Sequence, residues 1–128
     1  MVDTFIVFAM HCIADFPMQG EYLSKAKAKS IYVLFCHCAI YTLLMAIGFG
    51  GIAYMYEVAQ DVEWGFVLML LFYSHFAIDY IKGYFELKLP IEREDEERRI
   101  REKRMMLFYC DQALHLAIAY AILEVCIR

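Results

Sequence analysis

The chain contains four histidines, and three of them have an aspartate four residues away: His11 with Asp15, His75 with Asp79, and Asp111 with His115. Four residues turn an α-helix by about 400°, so each pair shares one face, a turn apart, and can address a common site. Imidazole nitrogen and carboxylate oxygen together suit zinc, or manganese and iron where oxygen predominates. His11, Asp15, His75, Asp79, Asp111 and His115 are therefore the expected ligands of a divalent metal. His37 has no such aspartate and is expected as a further ligand or a general base. Lys82 lies on the face of His75, placed to pair with Asp79 or to stand at the mouth of the site and stabilise an anion. Gln19, Gln112 and Tyr41 add polar groups near the same level. Seven ligands could hold two ions, and two-metal sites suit hydrolysis of phosphate esters. The plainer alternatives are aspartates that orient a histidine ring, or histidines that only hydrogen-bond across helices.

The elements that must position these groups follow from composition. Of 128 residues, 62% are hydrophobic and 22% charged, with a net charge of −4. An average soluble domain is roughly 45–50% apolar, so a disordered chain is excluded and a small soluble globule could not bury such a surplus. The apolar residues gather into runs at about 4–22, 31–56, 64–86 and 105–127. A transmembrane helix needs roughly 20 mostly apolar residues, a length the last three runs reach and the core of the first does not. The expected architecture is all-α: one membrane domain over 1–128, a four-helix transmembrane bundle running up-down-up-down. A charged connector, 87–104, forms a helical extension before the fourth helix. Within it Pro90 fits a helix start, and Glu94 with Arg98, Asp95 with Arg99 and Glu97 with Arg101 have helix-supporting spacing. The same segment could dock anionic lipid or a partner.

Lys25, Lys27 and Lys29 lie in connector 20–30, seven more basic residues lie between Lys88 and Arg104, and none lies in 57–63. Basic connectors mark the cytoplasmic side, so both termini are expected outside and connectors 20–30 and 87–104 inside. The reversed order in the fourth helix then becomes informative. That helix runs opposite to the first and third, so placing Asp before His brings all three aspartates to one level and their histidines about a turn deeper. An ionised aspartate near a span centre costs roughly 2.5–3.5 kcal/mol. Three of them must face the bundle interior, with partners.

Five cysteines, an odd number, fall within apolar stretches and read as free, buried thiols. Cys36 and Cys38 flank His37 but point about 100° from it, which favours packing over ligation. Gly48, Gly50 and Gly51 read as a close helix contact or a bend. The start lacks the basic region of a cleaved signal peptide. No nucleic-acid motif, Gly-rich phosphate loop or nucleophilic serine motif is present.

His11-x-x-x-Asp15-Phe16-x-x-Gln19, His37, Ser74-His75-Phe76-x-Ile78-Asp79-x-x-Lys82 and Asp111-Gln112-x-x-His115, in that order, resemble one family. It is the group of small bacterial and phage membrane proteins called domain of unknown function 3307. That resemblance covers nearly the whole chain and implies a membrane fold without an assigned reaction. The Ser-His-x-x-x-Asp stretch is also similar to one in membrane-bound metal-dependent hydrolases of the YdjM type, over one span only. The resulting expectation is a metal-dependent hydrolase in the lipid bilayer, acting on an anionic lipid or another phosphate-containing substrate. The runner-up is a non-enzymatic protein that conducts protons or ions, or a phage-type partner-binding protein. Oligomeric state is left open.

Overall fold

The computed structural model describes residues 2–18, 20–88 and 97–126, which form five helices. They are α1 (Val2–Asp15), the short α2 (Gly20–Ala26), α3 (Ile31–Met55), α4 (Trp64–Lys88) and α5 (Glu97–Cys126). The four long helices close into a ring: α1 packs on α3, α3 on α4, α4 on α5, and α5 back on α1. Short connections between sequence neighbours give the up-down-up-down arrangement.

The first helix is shorter than expected, and proline is the reason. Pro17 has no amide hydrogen and disfavours helical backbone at Phe16, so α1 stops at Asp15 instead of running to residue 22. Phe16 N still donates to Cys12 O at 3.1 Å, and Met18 N reaches past the proline to Ile13 O at 3.2 Å. Gly20, at φ +60°, turns the chain into α2, a helix inside what the sequence presents as a plain polar connector. Gln19 lies outside the described residues, as do Pro90 and the charge pairs of Glu94 and Asp95. The side chains of Glu97 and Arg98 lie outside them too. The described part of the charged extension, from Glu97 to Arg104, is helical, and Arg101 to Arg104 are exposed.

The other end of α3 closes with a six-residue hydrogen-bonded turn. Val58 N donates to Ala53 O at 3.0 Å and Glu57 N to Tyr54 O at 3.1 Å, with Glu57 in the left-handed region at φ 61° where glycine is usual. Tyr56 Oη donates to Asp3 Oδ2 at 2.7 Å, which ties the start of α1 to the end of α3. That hydrogen bond, with the carboxylate's charge, raises the Tyr56 phenol above its usual value. Gly48 permits the close approach of α1: a Cβ there would meet Met10 Cγ at 2.7 Å.

The bundle has an inverted surface. Leu43, Ile47, Tyr73 and Val125 are 65–73% exposed, while His11, His37, His75 and His115 are at most 2% exposed. Apolar residues outside and charged residues inside reverse the arrangement of a water-soluble fold and match a lipid surround. Three helical segments, Ile31–Met55, Trp64–Lys88 and Arg99–Cys126, are long and apolar enough to cross a membrane. α1, with 14 residues, is not. The interior divides lengthwise. One end holds Val7, Met45, Phe49, Ile52, Val67, Leu71, Ile122 and Leu123; the other holds the polar groups described next.

Candidate metal centre

Each long helix contributes one histidine to the polar end. Near the end of α1, one helical turn sets His11 and Asp15 on the inner face, and α4 does the same with His75 and Asp79. α5 presents Asp111 and His115 in the opposite order because it runs antiparallel to α4, and α3 contributes His37 and Tyr41. All these side chains are buried.

Four donor atoms meet in a small cage. His37 Nε2 lies 2.9 Å from His75 Nε2, and 3.2 Å from both Asp15 Oδ1 and Asp79 Oδ2. His75 Nε2 lies 3.7 Å from Asp15 Oδ1 and 3.4 Å from Asp79 Oδ2. For metal bonds of about 2.0–2.1 Å, neighbouring ligands of a tetrahedron stand about 3.3–3.4 Å apart. These five of a tetrahedron's six edges straddle that value; Asp15, His37 and His75 form a group with all donors within 4.8 Å of one another, and Asp79 adjoins it through the two imidazoles. His37, which the sequence leaves as either ligand or base, is thus one of the four cage donors.

Two further groups of ligand atoms lie within 4.8 Å of one another: Asp15, Asp111 and His115, and Cys38, His75 and Asp79. The first shares Asp15 with the cage. The second brings in a cysteine that the sequence assigns to packing; Cys38 is fully buried, but the expected burial fails for Cys36 and Cys110, which are exposed on the outer faces of α3 and α5. His115 Nδ1 donates to the Asp111 carbonyl at 2.9 Å, which fixes its tautomer and leaves Nε2 as a bare lone pair. Among the described residues Nε2 has no hydrogen-bond partner, and neither has Asp79 Oδ1 or Asp111 Oδ1.

His11 is placed differently from the other expected ligands. Its Nε2 donates to Gln112 Oε1 at 3.0 Å, and its Nδ1 accepts from Tyr41 Oη at 3.3 Å. Both ring nitrogens are thus engaged in hydrogen bonds within the site. Gln112 donates through Nε2 to Asp15 Oδ2 and Asp111 Oδ2, each at 3.0 Å, and so links the carboxylates of two helices. Tyr41 stacks on His75 with ring centroids 3.6 Å apart, and His75 lies 4.2 Å from the His115 ring. Gln112 and Tyr41 thereby hold imidazoles and carboxylates in fixed rotamers.

Two lysines balance the carboxylates. Lys82 Nζ donates to Asp111 Oδ2 at 2.8 Å, so its partner is on α5 and not the expected Asp79. Asp79 Oδ2 accepts from Lys27 Nζ at 2.8 Å, and Lys27 also lies 3.4 Å from His37 Nε2. The sequence presents Lys27 only as a connector cation. It reaches the cage because the turn after α2 packs on α4, where Gly83 leaves room: a Cβ there would meet Ala28 Cα at 3.2 Å. The one hint in the sequence is the small pair, Ala28 next to the lysine and Gly83 one turn beyond Asp79. Among the described side chains, Asp15, Asp79 and Asp111 outnumber Lys27 and Lys82 in this buried site. That favours binding of a cation.

Fold and site together define a helical membrane protein with a buried His/Asp centre whose donors could hold a metal ion. The chain matches the family described as "Protein of unknown function (DUF3307)" over residues 4–127 and belongs to that family. No curated protein and no solved structure matches it.

Proposed function

We propose that this protein is an intramembrane metalloenzyme, binding a divalent ion, zinc or manganese, through Asp15, His37, His75 and Asp79, and that it hydrolyses a phosphate ester. The observation that carries this reading is the cluster itself: Asp15, His37 and His75 present donors within 4.8 Å of one another, and Asp79 Oδ2 stands 3.2 and 3.4 Å from the two imidazole nitrogens, spacings usual between ligands of one ion. A bound ion of this kind polarises phosphoryl oxygen and activates water. The chain's own groups supply the rest. Lys82 neutralises charge gathering on the phosphoryl oxygens. His115, its Nδ1 held by the Asp111 carbonyl, takes a proton from the attacking water through Nε2. The ester P–O bond breaks, and the imidazolium returns that proton to the departing oxygen. Asp111 orients His115 and, with Asp15, offers a second cation position.

In the membrane, we read α1 as a fourth, shorter segment beside three full spans, with the whole chain as one domain. Lys27, Lys82, Lys88, Arg101, Lys103 and Arg104 all belong to the same end of the bundle, which supports a cytoplasmic placement for that end and external termini. Metal analysis of the purified protein tests the central point. The wild type is expected to carry about one equivalent of transition metal, and His75→Ala with Asp79→Ala none. A wild type that takes up no metal contradicts the proposal.

A further inference from the structure

Beside the cage lies a cavity of about 240 Å³ lined by Asp15, Phe16, Lys27, Asp79, Lys82, Glu86, Phe108 and Gln112 among others. We propose that it receives the phosphate head group of a lipid, entering sideways past Phe16 and Phe108; this rests on reading the cage as a metal site.

Three features select that ligand. The first is placement: two cage carboxylates, Asp15 and Asp79, form part of the cavity wall, so a group held there meets the bound ion directly. The second is charge. Asp15, Asp79 and Glu86 against Lys27 and Lys82 give the lining a net charge of −1, or −2 with the Asp111 carboxylate that pairs with Lys82; this repels an anion, and a divalent ion offsets it. Phosphate is therefore admitted after the metal. Lys82, with its Nζ 2.8 Å from Asp111 and 5.5 Å above the Phe108 ring, is held within reach of such a group.

The third feature is size and rim. Sites for drug-sized ligands occupy about 300–1,000 Å³, so this cavity takes a head group and leaves no room for a nucleoside as well. Whatever carries the phosphate must lie outside. The rim there is the aromatic pair Phe16 and Phe108, ring centroids 6.2 Å apart, and both rings are exposed. Met105 and Tyr109 extend the exposed apolar surface along α5. An acyl chain suits that surface in a bilayer, whereas a sugar and base do not.

The test uses full-length protein in detergent, with zinc uptake measured first. Calorimetry then follows three probes: dioctanoyl phosphatidic acid, dioctanoyl phosphatidylcholine and inorganic phosphate. The zinc-loaded protein is expected to bind phosphatidic acid at least about tenfold more tightly than either of the others, and the zinc-free protein to bind none. Lys82→Met should weaken phosphatidic acid and phosphate alike. Phe108→Ala should weaken the lipid only. Unchanged zinc stoichiometry shows that each variant is folded. Equal binding with and without zinc, phosphate as tight as the lipid, or indifference to Lys82→Met overturns this inference and leaves the metal reading standing. A protein that takes up no zinc removes both.

Discussion

The two ends of the bundle interior are built from the same helices and differ in almost every other respect. At one end Met45, Phe49, Ile52, Leu71, Ile122 and Leu123 fill the space with apolar side chains. At the other, two or three turns away along each helix, three aspartates, four histidines and two lysines meet. Among the described residues, Tyr41, bonded to His11, and Thr42 are also buried there, and Thr42 donates back to the Cys38 carbonyl on its own helix. The contrast bears on function. A protein that passes protons or ions through its bundle needs polar groups along the whole path. Here the polar groups stop at Tyr41 and Thr42, and the apolar end seals the interior. A localised centre reached from one end is the organisation that the proposed metal site requires.

That contrast can be broken from either side. The largest effect is expected at the cage: Asp79→Ala should abolish stoichiometric metal binding while the helical circular dichroism persists. Loss of the fold together with the metal would mean that the polar end is structural. In the apolar half, Phe49→Ala should cost about 3–5 kcal/mol on unfolding, because a fully buried ring leaves a cavity. Metal stoichiometry in its folded fraction should be unchanged, as titration with a chromophoric chelator would show.

Smaller effects sharpen the roles of the bracing groups. Gln112→Leu removes the amide that joins Asp15 to Asp111 and accepts from His11, and should lower metal affinity about 10–100-fold. Lys27→Met removes the ammonium from Asp79. Thermal stability without metal should fall, since a buried carboxylate loses its partner, while zinc affinity rises by about tenfold and restores that stability. If zinc affinity falls instead, Lys27 helps to build the site and does not compete with the ion. The smallest change lies outside both ends: Glu57→Gly relieves a left-handed φ at the close of α3 and should stabilise by up to about 1 kcal/mol in a melt.

Much of this arrangement was legible in the sequence because helical periodicity carries it. The spacing in His11/Asp15, His75/Asp79 and Asp111/His115, with its reversal in α5, is a local property that survives folding unchanged. It led directly to a common level for the three aspartates. What could not be read depended on contacts between elements. Lys27 reaches Asp79 across 52 residues, through a turn whose position is set by the packing of Ala28 on Gly83. With Asp79 occupied, Lys82 turns to Asp111. Likewise, the use of both His11 nitrogens by Tyr41 and Gln112 depends on how α1, α3 and α5 meet, which no single-helix pattern contains. The early end of α1 is different: Pro17 is local to it, and its effect on Phe16 follows from backbone chemistry alone.

X-ray absorption at the zinc edge, on metal-loaded protein, addresses the central claim most directly. The cage predicts four light scatterers, two of them imidazole nitrogens, at about 2.0–2.1 Å. A sulfur shell at about 2.3 Å would place Cys38 in the coordination sphere, and the absence of imidazole scattering would contradict the cage of Asp15, His37, His75 and Asp79.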